Sequence, residues 1–121
     1  MSSMFEVLVV EDNPSSEAII RNSLSRLGFA VSTAATAEQA IEQLGRRSYH
    51  AVLAELCIRE QGGRGVARWL KRNHSDTRCF VITGWKGALE TGLLRHDGIH
   101  GVIRKPIIFN ELRDVVLEHF G

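Results

Sequence analysis

Val7-Leu8-Val9-Val10-Glu11-Asp12-Asn13-Pro14 runs from four consecutive apolar residues into two acids and a turn. A strand with one wet face would alternate apolar and polar residues. An unbroken apolar run is instead the pattern of a parallel strand covered on both faces. The Asn-Pro turn leads into a helix start. Ile20, Leu24 and Leu27 recur at helical spacing, and Gly28 predicts the stop.

The same alternation continues outward from this unit. Phe29 to Ala34 reads as a second strand. Thr36-Ala37-Glu38-Gln39 fits a capping box, with Thr36 as the cap and Gln39 reaching back. Ala37, Ala40, Ile41 and Leu44 form a buried stripe that Gly45 should end. Ala51 to Leu56 is a third strand, and Gln61-Gly62-Gly63 loosens the chain before a helix that turns Val66, Trp69 and Leu70 inward. Cys79 to Thr83 is a fourth strand, followed by a weaker helix near Ala88 to Arg95. Gly101-Val102-Ile103 is a short fifth strand, and Asn110 should cap a last helix bearing Leu112, Val115, Val116 and Phe120.

Five strand-helix units predict an α/β fold over residues 1–121, a single flavodoxin-like (βα)5 domain. Parallel neighbours need right-handed helical crossovers, which places helices on both faces of a doubly wound five-stranded sheet, expected in the order 2-1-3-4-5. The bulk numbers agree. The 121 residues are 44% hydrophobic and 24% charged, with a net charge of +1. That balance excludes a disordered chain and gives no global field toward nucleic acid or an anionic membrane. Cys57 and Cys79 have no metal or disulfide spacing and suit a reducing cytoplasm. No apolar run is long enough to span a bilayer, and Met1-Ser2-Ser3-Met4 lacks the start of a signal peptide.

In an open sheet of this kind, chemistry belongs at the carboxyl ends of the strands. The first strand ends in Glu11-Asp12, the third near Glu55, the fourth in Thr83-Gly84 and the fifth in Arg104-Lys105-Pro106. Three acids, a hydroxyl and a lysine are therefore expected at one edge. Clustered acids repel, and a hard cation such as Mg²⁺ would relieve them. A lysine and a hydroxyl opposite would suit a phosphoryl oxygen.

These four motifs together resemble the receiver domain of response regulators in two-component phosphorelays. Val7 to Asn13 matches its opening strand and acidic pair, and His50-Ala51-Val52-Leu53-Ala54-Glu55 its third strand. Val81-Ile82-Thr83-Gly84 and Ile103-Arg104-Lys105-Pro106 match the fourth and fifth. The resemblance implies a non-enzymatic signalling module, cytoplasmic, at most catalysing its own phosphorylation and dephosphorylation. It implies Mg²⁺ held by Glu11, Asp12, Glu55 and the Cys57 carbonyl, a phosphate-sensing hydroxyl at Thr83, a phosphate-binding Lys105, and a Lys-Pro peptide that is typically cis. The implied partners are a histidine kinase or phosphotransfer protein and an output domain. A homodimer through the fourth helix, fifth strand and fifth helix is a further implied contact. Neither direct nucleic-acid binding nor a membrane enters.

The sequence departs from that family at five positions. Glu55 stands where the phospho-accepting aspartate would be, with its carboxylate one methylene further out. Misplacing a nucleophile by about 1 Å can cost on the order of a hundredfold, so Glu55 is expected to accept phosphate poorly. Its charge reaches instead toward Thr83 and Lys105, where a phosphoryl group would lie. Arg59 replaces a usual proline, Val102 replaces the rotating aromatic switch residue, and Cys57 and Trp85 hold the positions that tune water access. Trp85 is a candidate partner contact; partial burial against the fourth helix is the alternative.

The remaining candidates carry less. His50, His74, His96, His100 and His119 are scattered and read as surface residues. Arg64, Arg68, Lys71 and Arg72 read as a solvated helix face, and Gly62-Gly63-Arg64-Gly65 lacks the ending of a phosphate loop. Three functions stay open: a pseudo-receiver acting through protein contacts, a true Mg²⁺-dependent receiver, and a flavodoxin-like binder of a small ligand.

Overall fold

The computed structural model describes residues 5–56, 62–84 and 91–119, the side chains of 91–93 excepted. Cys57, Arg59, Trp85 and Phe120 lie outside the described residues. The strands are β1 (Glu6–Val10), β2 (Ala30–Ala34), β3 (Ala51–Glu55), β4 (Arg78–Thr83) and β5 (Gly101–Arg104). Between and after them come α1 (Pro14–Arg26), α2 (Ala37–Arg46), α3 (Gly62–Asn73), α4 (Thr91–His96) and α5 (Phe109–Glu118). All strand pairs are parallel, in the order β2-β1-β3-β4-β5. The expected architecture and strand order are both present.

The apolar run that opens the sequence shows why. Val7 and Val9 point to one face, where Ile20 and Leu24 of α1 and Leu112 and Val116 of α5 close over them. Leu8 and Val10 point to the other, against Ala40 and Leu44 of α2 and Val66 and Leu70 of α3. Each of these side chains is at most 2% exposed. A fully buried Leu, Ile or Val contributes about 1.5–3 kcal/mol, so a strand apolar at every position is stable only between two helical layers.

Local signals held with some shifts. Asn13 caps α1, its Oδ1 accepting from the Ser16 amide at 3.0 Å. Thr36 caps α2 in the same way, and Gln39 reaches back to the Ala35 amide. Gly45 does not end α2, which continues to Arg46; an exposed glycine costs a helix only about 1 kcal/mol. Asn110 does not cap α5. Ile108 holds that position without a side-chain bond, and Asn110 lies inside the helix. The helix thus starts two residues earlier than a cap at Asn110 would place it.

Gly62 and Gly63 do not loosen the chain. Gly62 has φ +67°, and a Cβ there would lie 2.8 Å from the Leu56 carbonyl oxygen. A Cβ on Gly63 would lie 3.0 Å from the Glu55 carbonyl oxygen. The first turn of α3 therefore presses on the backbone at the end of β3, as only residues without a side chain allow.

Candidate functional site at the carboxyl edge of the sheet

The end of β1 is pinned before any functional group appears. The Glu11 amide donates to the Ala34 carbonyl at 3.0 Å, which carries the β1–β2 ladder one residue past the strand. This turns the Glu11 side chain into the molecule, where the residue is 3% exposed. Its Oε2 accepts from the Asn13 amide at 3.3 Å. Asp12, by contrast, is exposed.

Glu55 is the last residue of β3 and pairs in register with Ile82 of β4. Both of its carboxylate oxygens are engaged. Oε1 accepts from Lys105 Nζ at 2.7 Å, and Oε2 accepts from the Leu56 amide at 2.9 Å. The added methylene lets the side chain fold back onto the next peptide unit.

Lys105 follows β5, and its amide donates to the Thr83 carbonyl at 2.8 Å. The peptide between Lys105 and Pro106 is cis, as the resemblance implied. Its ammonium also lies 2.9 Å from Glu11 Oε1. The two form an ion pair whose carboxylate side chain is wholly enclosed. Partial burial alone would lower the Lys105 pKa. Hydrogen bonding and charge from Glu55 and Glu11 more than offset this and hold it above the ordinary 10.5. Thr83 is 1% exposed at the end of β4. The sheet thus brings together Glu11, Glu55, Lys105 and the Thr83 backbone.

The implied Mg²⁺ does not fit this arrangement. Among the described residues no group of three His, Cys, Asp or Glu could hold a metal ion. Lys105 already lies against the oxygens of Glu11 and Glu55 that a cation would need. The Cys57 carbonyl, the other implied ligand, falls outside the described residues.

Val102 is partly buried and packs on the α2–α3 side of the core. A cleft of about 530 Å³ runs beside it, lined in part by Arg95, Ile99, Val115 and Glu118. Arg68 pairs with Asp97 at 3.4 Å and Lys71 donates to the His96 carbonyl at 2.6 Å, so the basic stretch of α3 also fastens the end of α4.

The histidines carry more than a surface reading gave them. The His50 amide donates to the Glu6 carbonyl at 2.8 Å, and its Nδ1 accepts from the Glu6 amide at 2.9 Å. His100 does the same with Cys79, at 2.7 and 3.0 Å. Each ring replaces a missing carbonyl and adds a rung to the ladder before its strand. Their place directly before Ala51 and Gly101 was the available signal. Half-buried His74 contacts the Leu44 carbonyl through Nε2 at 2.9 Å.

A family model described as "Response regulator receiver domain" matches residues 7–117. The luminescence regulatory protein LuxO of Vibrio campbellii is 30% identical over 110 residues, covering 89% of this chain and 24% of that protein. The response regulator protein PilR of Pseudomonas aeruginosa is 23% identical over 112 residues, covering 92% of this chain and 25% of that protein. The chain therefore spans about a quarter of the length of these curated relatives. The chemotaxis protein CheY4 of Vibrio cholerae superposes with a TM-score of 0.87 at 18% identity, covering 96% of this chain and 98% of that one. That likeness speaks to the fold.

Proposed function

We propose a function that starts from one premise: this chain belongs to the response regulator receiver family, whose model spans residues 7–117. Receiver domains are signalling modules of two-component systems, generally without enzymatic activity. Within that family this chain acts as a pseudo-receiver. Glu55 holds the phospho-acceptor position, and the domain signals through protein contacts rather than through phosphate on that residue.

The observation that carries the reading is the engagement of both Glu55 oxygens, by Lys105 Nζ at 2.7 Å and the Leu56 amide at 2.9 Å. An acceptor carboxylate must offer a free oxygen in line with the phosphorus atom and its leaving group. Here one oxygen is held by an ammonium and the other by an amide. These are also the kinds of partner a phosphoryl group would take, so Glu55 favours the arrangement that phosphate would otherwise induce. The mimicry is partial, with one negative charge in place of nearly two. Thr83 and Lys105 keep their receiver positions, and Lys105 bonds Glu55 directly.

The partner face is the α4-β5-α5 surface around Val102, with Trp85 as a contact. It serves a histidine kinase or phosphotransfer protein, an output domain or a second copy. Direct nucleic-acid binding is no part of this role. No helix among the described residues is long and apolar enough to cross a membrane, and the role is cytoplasmic.

Incubation with acetyl phosphate and Mg²⁺, read by intact mass, tests the reading. The wild-type chain is expected to form no phosphoryl adduct, and Glu55→Asp is expected to gain one. A stoichiometric adduct on Glu55 would overturn it.

A further inference from the structure

We infer that Lys105 is the resident cation of this site and stands in place of a divalent metal. The inference rests on the pseudo-receiver reading and deepens it. To the engagement of Glu55 it adds the contact of the same ammonium with Glu11.

Two enclosed carboxylates meet at the carboxyl edge. The Glu11 side chain is 0% exposed and that of Glu55 13% exposed. Bringing them together without a cation would be unfavourable, because Glu11 has no bulk water to screen it and Glu55 has little. One ammonium answers both charges, at 2.9 Å from Glu11 Oε1 and 2.7 Å from Glu55 Oε1. Asp12, which a metal site would recruit, is exposed.

A magnesium ion demands near-octahedral oxygen ligands at about 2.0–2.1 Å. The same two oxygens cannot meet that demand while an ammonium touches both, since two cations on one oxygen repel. Mg²⁺ would first have to eject Lys105, and the lysine would then lose both partners. Glutamate makes this bridge reachable: its longer arm carries Oε1 to the lysine while Oε2 stays on the Leu56 amide. The site is thus charge-paired from within. Its occupancy does not follow the metal concentration of its surroundings.

The test compares melting midpoints in chelator and in millimolar MgCl₂, together with calorimetric titration of MgCl₂ alone. The wild-type midpoint is expected to stay in place, with no saturable heat. Lys105→Met frees both carboxylates, and it is expected to gain a saturable Mg²⁺ response and a midpoint raised by a few degrees. Lys105→Arg keeps a cation and should stay insensitive, which separates loss of charge from loss of packing. If Lys105→Met does not fold in chelator, its refolding on addition of MgCl₂ is the same predicted gain. Saturable stabilisation of the wild type by Mg²⁺, or no Mg²⁺ response in Lys105→Met, would overturn the inference. A wild type that binds Mg²⁺ yet forms no adduct with acetyl phosphate would sink this inference and leave the pseudo-receiver reading standing. An adduct on Glu55 would sink that reading instead.

Discussion

At the carboxyl edge of the sheet, charged side chains meet one another; at the amino edge, imidazole rings meet the backbone. Glu11, Glu55 and Lys105 form an enclosed ionic group whose members come from the ends of β1, β3 and β5. His50 and His100 each close one rung with an adjacent strand, His50 at an exposed position and His100 through a part-buried bond. The first arrangement is collective: removing one member leaves the others with uncompensated charge. The second is a set of separate local bonds, each of which water can partly replace. The difference teaches where this domain is brittle and where it is tolerant.

Breaking the ionic edge should have the largest effect. Lys105→Met leaves the enclosed Glu11 and Glu55 carboxylates unpaired, and about 3 kcal/mol of stability should be lost in chelator, measured by urea denaturation. Next comes the backbone beneath that edge. Gly62→Ala places a Cβ 2.8 Å from the Leu56 carbonyl oxygen at φ +67°, and a loss of more than about 1 kcal/mol is expected.

A titration sharpens the comparison, because the two edges should fail at opposite ends of the pH scale. Burial, and then the charges of Arg78 and His119, lower the His100 pKa below 6.5. A group lowered on folding supports the fold above its unfolded pKa. The support is then lost as pH falls below about 6.5 toward the folded value. Lys105 is raised instead, so its support is complete below 10.5 and lost above it. His100→Asn should flatten the acid limb of the melting curve and Lys105→Met the alkaline limb. The smallest effect is expected at a pair belonging to neither edge. Arg21 and Glu17 bond at 2.8 Å on the surface of α1, and Arg21→Ala should change stability by only about 0.3–0.5 kcal/mol.

The sheet was legible because a parallel strand buried on both faces leaves an unbroken apolar run, and Val7–Val10 and Cys79–Ile82 both show it. The caps at Asn13 and Thr36 were legible for a similar reason, since their bonds close within three residues. What failed depends on contacts distant in sequence. Gly62 and Gly63 look like a flexible hinge until the carbonyls of Glu55 and Leu56 are placed against them. Asn110 has the better capping chemistry, yet α5 starts earlier, from Ile108. At the site, the strand-end rule found Glu11, Glu55 and Lys105 as a group. It could not foresee that the lysine would bridge both acids, because that depends on side-chain reach rather than register.

The lysine bridge has a mechanical consequence as well. Lys105 is rooted just past β5, fastened by its backbone to β4, and anchored by its side chain to the ends of β3 and β1. It works as a tie laid across four neighbouring strands at one rim only. Tension that shears β5 away from the sheet would load this tie at the carboxyl rim and single hydrogen bonds at the other. Rupture should therefore start at the amino rim and travel toward Lys105, so that the strand peels rather than slides.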